Sequence, residues 1–154
     1  MEYQIKAQFA PQNQSSKNHL SSYEKLMAFY EKALTVNTAT RPETVLDNIL
    51  ADDFVAKGSV ESKTKAQLTG QLGFFWKLIP DLKWVPQEVV NEGNKYVVRS
   101  LASGTPNGDF MGLPTDGTKS FQIMTIDIHT IIDGKVVEVH HLEDWGTAMK
   151  QLTS

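Results

Sequence analysis

The sequence predicts an α+β domain in which helices pack on one face of a curved antiparallel sheet. Three observations lead there. Apolar residues recur at helical spacing as far as Ile79, and after Pro80 they alternate with a period of two. Turn signals at residues 91–94 (NEGN) and at Asp133-Gly134 separate the alternating runs at hairpin spacing. A chain of 154 residues that is 40% hydrophobic and 21% charged can bury the core of one soluble domain.

The elements follow in order. Residues 1–19 are expected to be a mobile lead-in, because APQNQSSKN (10–18) is polar, and the domain proper takes 20–154. Ser21 and Glu24 have capping-box spacing. Tyr23, Leu26, Met27, Tyr30, Ala33 and Leu34 then mark the buried face of a first helix. Thr40 and Glu43 repeat the box, with Pro42 in the first turn, where its missing N–H costs nothing. Val45, Leu46, Ile49 and Leu50 are the inner side of that short helix, and DDFVAKGSV (52–60) leads out of it as an extended piece. A third helix is expected over 63–79, with Leu68, Leu72, Phe75, Trp76 and Ile79 inside. Gly70 and Gly73 weaken it and leave room for another backbone, and Pro80 stops it. Strands 82–90 and 95–103 come next, the first at an edge or bulged because Pro86 cannot donate to a neighbour. Residues 104–118, GTPNGDFMGLPTDGT, form a loop that carries Phe110, Met111 and Leu113 where a solvent loop would be polar. Strands over 119–132 and 135–144 and a short closing helix complete the chain.

Composition excludes several functions. The net charge of −3 comes without a basic stripe, so no nucleic-acid partner is expected. With no cysteine there are no disulfides and no thiolate chemistry. No apolar run approaches the roughly 20 residues of a membrane span, so no membrane partner is expected. No basic-then-apolar leader is present, and the cytoplasm is the default expectation.

The last hairpin is unusual. IDIHTIIDGKVVEVHHLEDW (126–145) puts Asp127, His129, Glu138, His140, His141, Glu143 and Asp144 on its two strands, with three of the four histidines. A two-residue turn at Asp133-Gly134 pairs Ile132 with Lys135, and so Asp127 with His140, His129 with Glu138 and Ile126 with His141. One face then holds Asp127, His129, Glu138 and His140. The other holds Met124, Ile126, Ile128, Val137, Val139 and His141, and is expected to be the buried one. A single bulge instead brings Asp127 and His141 to one face. Both arrangements admit plain structural roles: outer ion pairs for Asp127 with His140 and His129 with Glu138, and a hydrogen-bonded core histidine at 141. No metal site is expected, since His140 and His141 are neighbours on a strand and point to opposite faces. Trp84, Phe75, Phe110, Met111, Met124 and Trp145 are either core or the wall of a pocket, with Phe110 and Met111 at its mouth.

The sequence resembles the SnoaL-like polyketide cyclases of the nuclear transport factor two-like superfamily. The residues that carry the resemblance are PDLKW (80–84), GTPNGDFMGLPTDG (104–117) and the hairpin 126–145. They look like that family's Pro-Asp-Leu, its Gly-Thr-His…Phe-Leu-Gly-Ile-Pro-Pro-Thr-Gly loop and its Asp-Gly-Lys-Ile-Val-Glu hairpin, and together they cover about residues 20–152. The resemblance implies a cone: a strongly curved antiparallel sheet, N-terminal helices on its concave face and an apolar cavity inside. It also implies ring closure by intramolecular aldol condensation without metal or organic cofactor. The position six before Asp133, often histidine or aspartate in the family, is Asp127. The position eight after it, where the cyclases carry the acid/base aspartate, is His141. The usual histidine of Gly-Thr-His is Pro106 here.

A neutral imidazole, with a pKa of about 6.5, suits proton abstraction near neutral pH. The expected function is therefore a cofactor-independent cyclase or isomerase for a small apolar carbonyl compound, with His141 as base and Asp127 supporting it. The two are expected to point into one apolar cavity within hydrogen-bond reach, directly or through one water, which requires the bulge. The alternatives are a protein that binds a small hydrophobic molecule without chemistry, and a dimerisation module. A homodimer is expected through the outer sheet face, with Ile131 and Val136 among its apolar residues.

Overall fold

The computed structural model describes residues 17–154, with side chains from residue 22 onward. The lead-in expected over 1–19 lies outside the described residues, save for its last three positions, which begin a helix. That helix, α1 (Lys17–Ala28), starts a turn before Ser21, so Ser21 and Glu24 are inside it rather than at its cap. It runs on into one π-helical turn, Phe29–Ala33, closed by the Leu34 N–H donating to Phe29 O at 2.9 Å. The short helix α2 (Pro42–Ile49) has Pro42 in its first turn as expected. Its Thr40–Glu43 box is absent, because Glu43 pairs with the Arg41 guanidinium at 2.6 Å.

The chain then enters strand β1 (Leu50–Lys57) and the short β2 (Ser62–Thr64), which pairs back on it. Helix α3 (Lys65–Leu78) opens with a capping box: Thr64 Oγ1 accepts from the Gln67 N–H, and Gln67 Oε1 accepts from the Thr64 N–H. A Cβ at Gly70 or Gly73 would touch nothing, so the close backbone approach expected there does not occur. Strands β3 (Lys83–Glu92) and β4 (Lys95–Gly104) form a hairpin, and β5 (Asn107–Phe110) and β6 (Leu113–Asp116) a second, small one. The expected 104–118 loop is thus largely strand. Strands β7 (Phe121–Ile132) and β8 (Lys135–Glu143) and helix α4 (Trp145–Thr153) end the chain.

The main sheet has the order β2-β1-β8-β7-β4-β3. β1 runs parallel to β8, the one departure from an all-antiparallel sheet. Pro86 sits on the edge strand β3, beside a register shift between Pro86 and Glu88, so both of the places open to a strand proline are used. The concave face carries the helices over a core that includes Leu26, Ala33, Leu46, Ile49, Leu72, Ile79 and Phe121.

The β7–β8 hairpin contains a bulge. Thr130 faces Glu138 but Ile131 faces Val136, which leaves Val137 as the extra residue. Above the bulge Asp127 pairs with His141, His129 with Val139 and Ile126 with Leu142. The unbulged register and its buried face therefore do not hold, and the bulged arrangement that brings Asp127 and His141 to one face does. Ile123, Thr125, Asp127 and His129 point inward, while Met124, Ile126 and Ile128 are exposed. Ile131 and Val136 are buried rather than on the outer face. Among the described residues no helix is long and apolar enough to cross a membrane.

Candidate active site

A pocket of about 580 Å³ opens on the concave side of the sheet. Phe29, Leu34, Leu68, Leu72, Phe75, Trp84 and Trp145 make its apolar wall, and Asp127, His141 and Glu143 a polar patch on it. The Glu61–Lys63 ion pair, at 2.8 Å, stands to one side. Exposed apolar side chains, Val60, Phe74, Met111 and Leu142, also line the pocket and form its rim.

Of the residues singled out from sequence, Asp127, His141, Trp84, Phe75, Met111 and Trp145 all line this pocket. Phe110 and Met124 do not. Phe110 is fully buried behind the wall, stacked on Phe121 at 5.7 Å and edge-on to Trp145 at 5.7 Å. It supports the wall without being part of it. Met124 is 47% exposed on the outer face, because the bulge reverses which residues of β7 face inward. Met111 reaches the rim from the first position of the β5–β6 turn, where its φ of +53° is unusual for a side chain other than glycine or asparagine. Trp84 is fixed by its indole N–H, which donates to Thr125 Oγ1 at 3.0 Å.

Asp127 and His141 lie opposite each other across the two strands without a direct hydrogen bond; each has another partner. The Tyr30 hydroxyl donates to Asp127 Oδ2 at 2.6 Å and also meets His129 Nε2 at 2.8 Å. His141 Nδ1 meets Glu143 Oε2 at 2.8 Å. Of the contact expected between Asp127 and His141, direct or through one water, the direct form is not made, and the carboxylate that orients His141 is Glu143. Residues two apart on β8 share a face, which is what brings them together.

Burial sets the proton affinities. Asp127 is only 4% exposed, and desolvation pushes its carboxyl from the ordinary 3.8 up to about 7. The Tyr30 hydrogen bond and the charge of His141 work against that rise, and the charge of Glu143 adds to it. His141 is held above the usual imidazole range, first by its hydrogen bond to Glu143. His129 is pushed down to about 3, chiefly by burial, and is a neutral imidazole at physiological pH. The Tyr30 phenol lies well above its ordinary range, by burial and then by the charge of Asp127. Near neutral pH the pocket therefore presents a carboxylate poised to gain or lose a proton beside an imidazole whose cation is stabilised by Glu143.

Sequence reasoning missed Tyr30, which reads as one more apolar position on a helical face. The signal that could have found it is the set of inward polar residues on β7, which need a buried partner. Among the described residues no cluster of three or more His, Asp or Glu side chains is placed to hold a metal ion.

The chain matches the family model for SnoaL-like polyketide cyclases over residues 24–152, and it belongs to that family. Membership points to cofactor-independent activity of cyclase or isomerase type. Solved structures agree on the fold. A protein described as a SnoaL-like polyketide cyclase from Jannaschia sp. is 19% identical with a TM-score of 0.79, over 90% of this chain and 96% of its own. IdmH from Streptomyces antibioticus, described as a polyketide cyclase, is 22% identical with a TM-score of 0.73, over 86% of this chain and 99% of its own. A protein of ketosteroid isomerase-like fold from Catenulispora acidiphila, solved with trimethylamine, is 13% identical with a TM-score of 0.69, over 84% of this chain and 92% of its own. No functionally curated protein matches the sequence.

Proposed function

We propose that the protein is a cofactor-independent acid/base enzyme acting on a small apolar carbonyl compound, of cyclase or isomerase type. The observation that carries this is the opposed pair Asp127 and His141 on the wall of an otherwise apolar pocket. Their proton affinities divide the roles differently from the sequence expectation. Asp127, near 7, is the base, and His141, whose protonated form the Glu143 hydrogen bond stabilises, is the acid. The Asp127 carboxylate takes a proton alpha to the carbonyl, and the C–H electron pair becomes the enolate double bond. His141 Nε2–H stabilises the enolate oxygen. In an aldol closure the enolate carbon bonds to a second carbonyl carbon, whose oxygen takes the His141 proton. The proton on Asp127 then returns to His141, which restores both groups. In an isomerisation Asp127 returns the proton to a different carbon.

The test uses aryl methyl ketones in D₂O, with α-proton exchange followed by NMR. Exchange above the buffer rate that is lost in both Asp127→Asn and His141→Ala supports the reading. Absence of enzyme-dependent exchange across the panel counts against it. The binding-only alternative has one observation in its favour: Asp127 and His141 each already have a protein partner. It requires quenching of the wall tryptophans by the same ketones with no exchange.

The proposal includes a homodimer. Val90, Met124, Ile126 and Ile128 are all exposed on the outer face of the main sheet. A second copy pairing there would cover them.

A further inference from the structure

We infer that Tyr30 is a positioning residue for the proposed base: its buried hydroxyl, backed by His129, fixes the Asp127 carboxylate by one oxygen, stabilises its anion and leaves the other oxygen for substrate. This deepens the proposed function and rests on it for its catalytic meaning, but its geometry stands alone. Tyr30 donates to Asp127 Oδ2 at 2.6 Å and meets His129 Nε2 at 2.8 Å. Asp127 Oδ1 makes no hydrogen bond among the described residues, yet it is not a sealed unpaired atom, and Asp127 lines the pocket. Tyr30 and His129 are not among the lining residues. They stand behind the carboxylate.

The direction of the chain of bonds follows from valence. While Asp127 is ionised the Tyr30 hydrogen is engaged with it, so the Tyr30 oxygen must accept from His129. That places the imidazole hydrogen on Nε2 and leaves Nδ1 bare. His129 Nδ1 is buried with no hydrogen-bond partner among the described residues. The relay is therefore His129 Nε2–H to Tyr30 O–H to Asp127 Oδ2, and every member donates toward the carboxylate. Neither supporter competes for the substrate's proton: His129 stays neutral and Tyr30 stays protonated near neutral pH.

Three buried polar groups are costly where an apolar trio would pack without penalty. The backbone is also specialised for them, because Tyr30 lies in the π-helical turn that follows α1, and such turns recur at functional sites. The titratable groups around Asp127 are Tyr30 from that turn, His129 on its own strand, and His141 and Glu143 from β8. Of these, only Tyr30 hydrogen-bonds to it.

The test is a pH titration of the intact protein by NMR, reading the Asp127 carboxyl carbon and the His129 ring nitrogens. The wild-type carboxyl midpoint is expected near 7. Tyr30→Phe should raise it by about one to two pH units, the loss of one charge-assisted hydrogen bond. An unmoved midpoint overturns the inference. If Tyr30→Phe does not fold, the wild-type nitrogen spectrum decides: Nε2–H with a bare Nδ1 supports the relay, and Nδ1–H overturns it. Neither readout needs turnover. A relay present in a protein that exchanges no α-protons would sink the proposed function and leave this geometry standing.

Discussion

Replacing Asp127 with asparagine should stabilise the protein at alkaline pH and not at acid pH. The carboxyl is raised from 3.8 to about 7 in the folded state, so folding favours its protonated form. The stability this contributes is fully present below the unfolded pKa and is lost as pH rises through about 7. At 1.36 kcal/mol per pH unit the whole effect is about 4 kcal/mol, of which about 3 kcal/mol falls between about pH 4.5 and about pH 8.5. His141, also raised, loses its contribution in the same direction, so the wild type should weaken steadily with pH. Asparagine keeps an acceptor for the Tyr30 hydroxyl at similar size and cannot ionise. Urea denaturation of both proteins across that range measures the difference. The gap in unfolding free energy should move by about 3 kcal/mol in favour of Asp127→Asn as pH rises. A gap that stays constant refutes the raised carboxyl pKa, and with it the assignment of Asp127 as a base poised near neutrality.

Other outcomes follow from the same geometry. His141→Ala should lower α-proton exchange by roughly 100-fold or more and cost about 1 to 3 kcal/mol of stability, because Glu143 loses its partner; urea curves and exchange rates read the two effects separately. Met111→Asn should raise stability by about 1 kcal/mol in thermal melts, since asparagine tolerates a φ of +53°, while weakening ketone binding at the rim. Ile126→Glu should convert a homodimer into a monomer in light scattering at micromolar concentration, and a monomeric wild type would contradict the outer-face interface. Gly104→Ala should destabilise by about 1 to 3 kcal/mol in urea, because its Cβ would run into the Ile79 side chain.

Much of the fold was legible in the sequence because periodicity and turn chemistry are local. The shift from helical to alternating spacing at Pro80, the helix stop there and the Asp133-Gly134 turn place the helices and most of the sheet. Pro86 marked both an edge and a bulge. The parallel β1–β8 pair was not legible, since no local pattern joins residues so far apart in the chain. The site was half legible. Asp127 and His141 were singled out, but the face they share depends on one extra residue, Val137, and nothing in that residue announces a bulge. That single residue inverts the strand, so the polar side of β7 faces the pocket and the apolar side faces out. Met124 was misplaced for this reason. Tyr30 was hidden because a tyrosine on a buried helical face looks like any other core residue until its hydroxyl has a partner.

The central claim is that Asp127 and His141 act together on a carbonyl compound inside the pocket. A crystal structure with a bound naphthyl methyl ketone tests it most directly. The account predicts the ketone oxygen within hydrogen-bond distance of His141 Nε2, the methyl carbon against Asp127 Oδ1, and the rings between Trp84, Trp145 and Phe75. A ketone seated with its oxygen toward the rim, or on the outer face, with Asp127 and His141 untouched, would contradict it.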